Sequence, residues 1–213
     1  MRYKAILFDM DGTLLDTLTD MEDAVNHILS VHGWPLRTTE EVRAFVGNGA
    51  RRLMERAVPP EVTGGDFETV LTEYRDWYQA HNCVATAPYP GIPALLAALA
   101  EAGIKTAVVS NKPDATTKTL AARFFPGLPA FGQRDDVPPK PAPDLVFRAL
   151  ETLGVGAADA VYVGDSEVDV ATARNAGLPL AAVSWGFRGR RALAEAGAAV
   201  IVDAAAELLE VLR

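Results

Sequence analysis

The chain has 213 residues, 49% of them apolar, enough for one large domain or for an ordinary core with a smaller unit attached. Lys and Arg number 20 against 28 Asp and Glu, a net charge of −8, and an acidic chain without a basic stripe excludes nucleic acid as a partner, because phosphate neutralisation supplies most of that affinity. A single cysteine, Cys83, excludes an internal disulfide, and no stretch approaches the roughly 18 consecutive apolar residues of a membrane span. Met1-Arg2-Tyr3-Lys4 runs into the first strand without an apolar leader, so the expected location is the cytoplasm, with no membrane partner.

The first element is a strand, Ala5-Ile6-Leu7-Phe8, and it runs into Asp9-Met10-Asp11-Gly12-Thr13-Leu14-Leu15-Asp16-Thr17. Carboxylates at the end of a buried strand are unusual unless they are paired or hold a metal. Side-chain alternation lets Asp9 and Asp11 point the same way, and Gly12 lets the chain leave the strand at dihedrals other residues avoid. Two hard oxygen donors suit Mg²⁺, and an aspartate can also act as a nucleophile toward phosphorus. A solvated Asp-x-Asp-Gly turn is the bland alternative, whereas an EF-hand is excluded because the loop lacks the third acidic ligand and the glycine at its sixth position.

Leu18, Met21, Val25, Ile28 and Leu29 then recur at helical spacing up to about His32-Gly33, and further helices are expected at 40–45, 51–58 and 67–79. No strand pattern interrupts them before Pro88, Pro90 and Gly91 mark a boundary. Beyond it strands and helices alternate. Strands are expected at 105–109, 129–131, 160–163, 180–183 and 199–202, with helices between them and a last helix at the end. Alternation of this kind means parallel pairing with right-handed crossovers. The expected fold class is therefore α/β, a doubly wound parallel sheet of residues 1–15 and 88–213 with an inserted all-helical domain of residues 16–87.

Three later strand ends carry polar groups. Ser110-Asn111-Lys112-Pro113 offers a hydroxyl, an amide and a helix N-terminus to phosphate oxygens, although Ser or Asn there also suits a plain N-cap. Lys140 stands among Pro138, Pro139, Pro141 and Pro143, which stiffen the backbone and aim one point charge, unless the segment is only a rigid linker. In Val163-Gly164-Asp165-Ser166-Glu167-Val168-Asp169, Asp165 is a further candidate metal ligand beside Asp9 and Asp11. Asp169, with Ser166, fits a capping box as well as a supporting role behind the ligands.

These stretches in this order, Asp9-x-Asp11-Gly12-Thr13, Ser110, Lys140 and Gly164-Asp165-Ser166-x-x-Asp169, closely resemble the four motifs of the haloacid dehalogenase (HAD) superfamily. The helical insertion resembles its C1-type cap. Leu14-Leu15-Asp16-Thr17, Val46-Gly47-Asn48-Gly49-Ala50-Arg51 and Val109-Ser110-Asn111-Lys112 resemble the phosphoglycolate phosphatase group within it. The resemblance implies a HAD-like Rossmannoid core and a Mg²⁺-dependent phosphatase. In it Asp9 is nucleophile and metal ligand, and Asp11 is general acid/base, touching the metal through its backbone carbonyl. Ser110 and Lys140 hold the phosphoryl group, Asp165 completes the metal site, and Asp169 and Ser166 support it. Thr13, Asn111, Gly49 and Arg51 are the expected substrate contacts, with Gly47 and Gly49 opening backbone N–H groups to an anion and Arg51 holding a carboxylate, unless that loop is a tight helix–helix turn.

The expected substrate is phosphoglycolate or a similar small phosphorylated metabolite, acted on by a monomer or homodimer. The alternatives are a sugar-phosphate phosphatase, a pyrophosphatase or a phosphomutase on the same scaffold, and a non-catalytic binding module. Gly132-Gln133-Arg134-Asp135-Asp136 departs from the pair of glycines relatives often carry before two acids, and Arg188-Gly189-Arg190-Arg191 reads as a solvated loop.

Overall fold

A computed structural model describes residues 3–212. Strand β1 (Ala5–Phe8) is apolar and buried at all four positions, the pattern of a strand covered on both faces. It accordingly sits inside the sheet. The chain continues through β2 (Leu15–Asp16), α1 (Leu18–Val31), α2 (Thr39–Phe45), α3 (Gly49–Ala57), α4 (Gly64–His81) and β3 (Ala87–Pro88). It then alternates through α5 (Ile92–Glu101), β4 (Lys105–Pro113), α6 (Asp114–Phe124), β5 (Ala130–Gln133), α7 (Asp144–Leu153), β6 (Ala160–Gly164), α8 (Glu167–Ala176), β7 (Leu180–Val183), α9 (Gly189–Glu195), β8 (Ile201–Val202) and α10 (Ala205–Val211).

Six strands form one parallel sheet in the order β5-β4-β1-β6-β7-β8, and β2 and β3 form a separate pair. Along β1 alternate residues serve opposite faces. Ala5 and Leu7 join Ala107, Val109, Ala160 and Tyr162 in a cluster closed by Leu145, Val146, Ala149, Leu150 and Leu153 of α7 and by Ala173 and Ala176 of α8. Strand order reverses at β1, whose neighbours β4 and β6 lead away in opposite directions; in open α/β sheets this is where ligands bind, outside the carboxyl ends of the strands.

The chain divides into two compact units, one made of the residues up to Asp16 with those from Pro88 onward, the other Thr17–Ala87. The second is built of α1 to α4 and their connections and ends at Ala87, the first residue of β3. Its α1 buries Leu18, Met21, Ala24, Val25, Ile28 and Leu29 along one stripe. Gly47 (φ 113°) and Gly49 (φ 84°) make the turn from α2 into α3, and Arg56 fastens it by donating to the Phe45 carbonyl (2.7 Å) and to Asn48 Oδ1 (3.0 Å). The tight-turn reading of this loop therefore has direct structural support. Among the described residues no helix is long and apolar enough to cross a membrane.

Besides the short pair β2 and β3, which the sequence reading lacks, two stretches differ from the sequence expectation. Strand β4 does not stop at 109 but runs on to Pro113, so Ser110, Asn111 and Lys112 lie on an extended strand end and Pro113, not Ser110 or Asn111, precedes α6. Pairing with β5 holds at Val108 and Val109, shifts register, and resumes only at Pro113. Such irregularities re-aim side chains next to functional sites. Arg188-Gly189-Arg190-Arg191 is not a loop, since α9 begins at Gly189. Its arginines pair with Glu167, Asp203 and Glu195.

Candidate active site

Register assembles the site. Phe8 lies opposite Val108 of β4 and Val163 of β6, so Asp9 emerges beside Val109-Ser110 on one side and Gly164-Asp165 on the other. One carboxylate oxygen from each of Asp9, Asp165 and Asp169 falls within 4.8 Å of the others, and all three residues are buried. Gly164 makes this approach feasible, because a Cβ there would overlap the Asp169 side chain.

Lys140 closes the cluster. Its buried ammonium lies 3.0 Å from Asp9 Oδ1 and 2.8 Å from Asp169 Oδ1, and it donates to the Tyr162 hydroxyl at 3.0 Å. Tyr162 in turn donates to the Val109 carbonyl (3.0 Å). Asn111 grips the backbone of Lys140 from the next strand: its Nδ2 donates to the Lys140 carbonyl (3.0 Å) and its Oδ1 accepts from the Lys140 N–H (2.7 Å). The amide expected to contact substrate is thus engaged in placing the lysine. Asp169 Oδ2 accepts from the Ser166 N–H (3.1 Å) and hydroxyl (2.6 Å), closing the capping box of α8, so both its oxygens are committed. Asp169 thus contacts Lys140 and Ser166, and the capping box expected of Ser166 and Asp169 is present.

Asp165 accepts from the Thr13 hydroxyl (3.1 Å) and from the Phe187 N–H (2.7 Å). The loop after β7 packs tightly here. A Cβ on Gly186 would overlap both the Gly12 carbonyl and Asp165, and Trp185 Nε1 donates to the Thr13 carbonyl (3.1 Å). Gly12 itself has φ 82°. Asp11 stands apart from the three-acid cluster: both its carboxylate oxygens meet Lys112 Nζ, at 2.9 and 3.1 Å. Ser110 is buried, and its hydroxyl accepts from the Lys112 N–H (3.3 Å).

Burial pushes the Asp9 carboxyl up from 3.8 to about 7; Lys140 pulls it down, while Asp169 and Asp11 add to the rise. Burial and the charges of Asp169 and Asp9 push Asp165 well above the carboxylate range, against the hydrogen bonds from Phe187 and Thr13. Burial alone would lower the Lys140 ammonium, but Asp169 and Asp9 outweigh it and hold the group well above the usual lysine value. Burial and mutual repulsion thus disfavour the charged forms of Asp9 and Asp165, and positive charge beyond that of Lys140 would favour them. Four carboxylates against the ammonium groups of Lys112 and Lys140 leave a formal charge of −2, and the donors are hard oxygens. The set fits a divalent cation such as Mg²⁺.

The structure brings Asp9, Thr13, Lys140, Asp165, Ser166 and Asp169 together, joins Asn111 to Lys140, and sets Asp11 on Lys112. Gly49 and Arg51 lie in the helical unit. There Arg51 forks onto Glu68 (2.8 Å for each bond) and lies over the Phe67 ring, so the guanidinium expected to receive a substrate carboxylate already has one. Lys112, Tyr162 and the loop 185–187 have no role in the sequence reading. Tyr162 looks there like one more core residue of a strand, and the loop has no polar signature. Lys112 was legible only as part of the Ser110-Asn111-Lys112 stretch.

The sequence model described as "Haloacid dehalogenase-like hydrolase" matches residues 6–183. The chain is 36% identical to the N-acetylmuramic acid 6-phosphate phosphatase of Pseudomonas aeruginosa, over 100% of this chain and 96% of that protein. It is also 34% identical to a phosphoglycolate phosphatase of Pseudomonas savastanoi, over 94% of this chain and 76% of the other. A crystal structure from Lactobacillus delbrueckii, described as a candidate phosphoglycolate phosphatase, superimposes with a TM-score of 0.94 at 37% identity and covers 100% of this chain and 99% of that one. With this match in sequence and fold, and with its acids and lysine gathered at the carboxyl ends of β1, β4 and β6, the chain belongs to the haloacid dehalogenase-like hydrolase family.

Proposed function

We propose that the protein is a phosphatase that hydrolyses small phosphomonoesters carrying a carboxylate, with Asp9 as nucleophile and Mg²⁺ held by Asp9 and Asp165. The observation that carries this reading is the placement of Lys140 across Asp9 and Asp169, with Asp165 beside them, at the end of β1. A buried carboxylate with a cation on one oxygen is aimed, and a divalent cation bound beside it would keep it charged, which is what attack on phosphorus needs. The phosphatases of P. aeruginosa and P. savastanoi named above act on phosphate esters that also bear a carboxylate, and this chemistry defines the proposed substrate class.

The reaction proceeds in two displacements. An Asp9 oxygen attacks phosphorus as the bond to the ester oxygen breaks, and Asp11 delivers the proton that the leaving oxygen needs. Water then attacks the phosphorus of the aspartyl phosphate, Asp11 takes its proton, and Asp9 is regenerated as phosphate leaves. Lys140 and Ser110 bind the phosphoryl oxygens, and Asn111 and Asp169 hold Lys140 in place. When bound, Mg²⁺ supplies charge neutralisation for the phosphoryl oxygens among the carboxylates. The unit Thr17–Ala87 is the part assigned to substrate selection in this reading.

The test is phosphate release from a panel of phosphoglycolate, N-acetylmuramic acid 6-phosphate, sugar phosphates lacking a carboxylate, nucleotides and pyrophosphate, with and without Mg²⁺. The expected result is Mg²⁺-dependent release with the highest kcat/KM for carboxylated esters. Equal or better turnover of sugar phosphates lacking a carboxylate removes the substrate class, and absence of Mg²⁺-dependent release from every ester removes the phosphatase reading.

A further inference from the structure

Lys112 is 5% exposed, at the irregular end of β4, with its ammonium forked on both oxygens of Asp11. A lysine that only needed a counter-ion would reach water with its flexible stem. Here the stem is packed, and a compact three-donor head is fixed on the carboxylate. The Asp11 side chain keeps 13% of its surface open, so it is held and still accessible, whereas Asp169, which Lys140 holds, is fully enclosed. The two lysines take three of the four acids: Lys140 meets Asp9 and Asp169, and Lys112 meets Asp11.

We infer that Lys112 is a positioning residue for Asp11, fixing the direction from which its carboxyl meets the ester oxygen. The inference rests on the reading of Asp11 as the group that exchanges a proton with that oxygen. Its physical basis is the steep dependence of proton transfer on placement: a group of this kind contributes about 10²–10⁴-fold, and a displacement of about 1 Å can cost on the order of 10²-fold. Ser110, Asn111 and Lys112 thereby form one device on three successive residues. Asn111 sets the lysine that binds phosphate, and Lys112 sets the acid that faces the leaving group.

The experiment compares kcat/KM for an alkyl phosphate, whose leaving oxygen needs a proton, with that for 2,4-dinitrophenyl phosphate, whose leaving group departs without one. Wild type, Asp11→Asn and Lys112→Met are measured with Mg²⁺, and Lys112→Gln, which keeps a donor, replaces Lys112→Met if thermal unfolding shows that variant misfolded. The expected result is that both substitutions cost the alkyl ester more than the aryl ester, by on the order of 10²-fold for Asp11→Asn and at least about tenfold for the Lys112 variant. A Lys112 variant that loses both esters equally, while Asp11→Asn keeps the leaving-group signature, overturns the inference and leaves Asp11 in its role. Equal losses in Asp11→Asn overturn the reading of Asp11 itself, and the positioning role with it.

Discussion

Two regions of this molecule bury carboxylates, and they do it differently. In the helical unit Asp20 is 1% exposed and accepts from the backbone N–H groups of Val84 (3.0 Å), Ala85 (2.8 Å) and Thr86 (2.9 Å) and from the Thr86 hydroxyl (2.6 Å). A single acid there is satisfied by fixed donors and ties the start of α1 to the segment that leaves α4. In the α/β unit Asp9, Asp165 and Asp169 crowd within 4.8 Å of one another around one lysine. The first arrangement is complete as it stands and serves stability. The second accumulates negative charge beyond its fixed donors, and that surplus suits a divalent cation.

The largest expected effect falls on the crowded region. Asp9→Asn lowers turnover by at least about 10³-fold in a protein that still folds, checked by steady-state phosphate release alongside circular dichroism. Lys140→Met breaks buried ion pairs, costing about 3–5 kcal/mol in denaturant unfolding, and the lost activity is not restored by excess Mg²⁺.

Asp20→Asn sharpens the contrast. It leaves buried N–H groups poorly matched and costs about 2–4 kcal/mol, yet the folded fraction keeps its turnover within a few-fold. Thermal unfolding separates the two regions directly: Mg²⁺ at about 100 times its Kd stabilises wild type and Asp20→Asn by about 2.7 kcal/mol, and Asp165→Asn loses that response. An equal response in Asp165→Asn breaks the comparison.

In a chelator the sign of the pH dependence is also set. The Asp9 carboxyl is raised to about 7 in the fold from 3.8, so its contribution to stability is fully present below about pH 3.8 and is lost as pH rises through 7. Metal-free wild type therefore loses Tm between pH 5 and pH 8 relative to Asp9→Asn, by several degrees at about 2–4 °C per kcal/mol for a chain of this size. The smallest effect belongs to the surface. Glu68→Ala removes an exposed partner of Arg51 and shifts Tm by no more than about 1 °C.

Much of this was legible in the chain because it rests on local pattern. The alternation of apolar strands and helices after Pro88 has the period of a parallel sheet, and the polar residues that end β1, β4 and β6 are where such a sheet places ligands. Asp9, Asp11, Ser110, Asn111, Asp165 and Asp169 could be named as candidates on that basis and Lys140 from the prolines around it, while their roles came from the family resemblance. Their pairings could not be named. Asn111 and Lys140 are 29 residues apart, Lys112 and Asp11 are 101 apart, and nothing in either neighbourhood announces the partner. Arg51 shows the same limit from the other side: an arginine after Gly47-Asn48-Gly49 suits an anion, and only the packing of α3 against α4 reveals Glu68 in its fork.

By itself, then, the sequence determined the layered α/β architecture, the helical insertion and the residue types gathered at the strand ends, because periodicity and turn chemistry act over a few residues. Tertiary structure alone decided which lysine holds which acid, that Asn111 serves Lys140, and that Asp20 closes its own unit. Those choices depend on strand register and on the low dielectric of a buried site, where each charge must find a partner from distant parts of the chain.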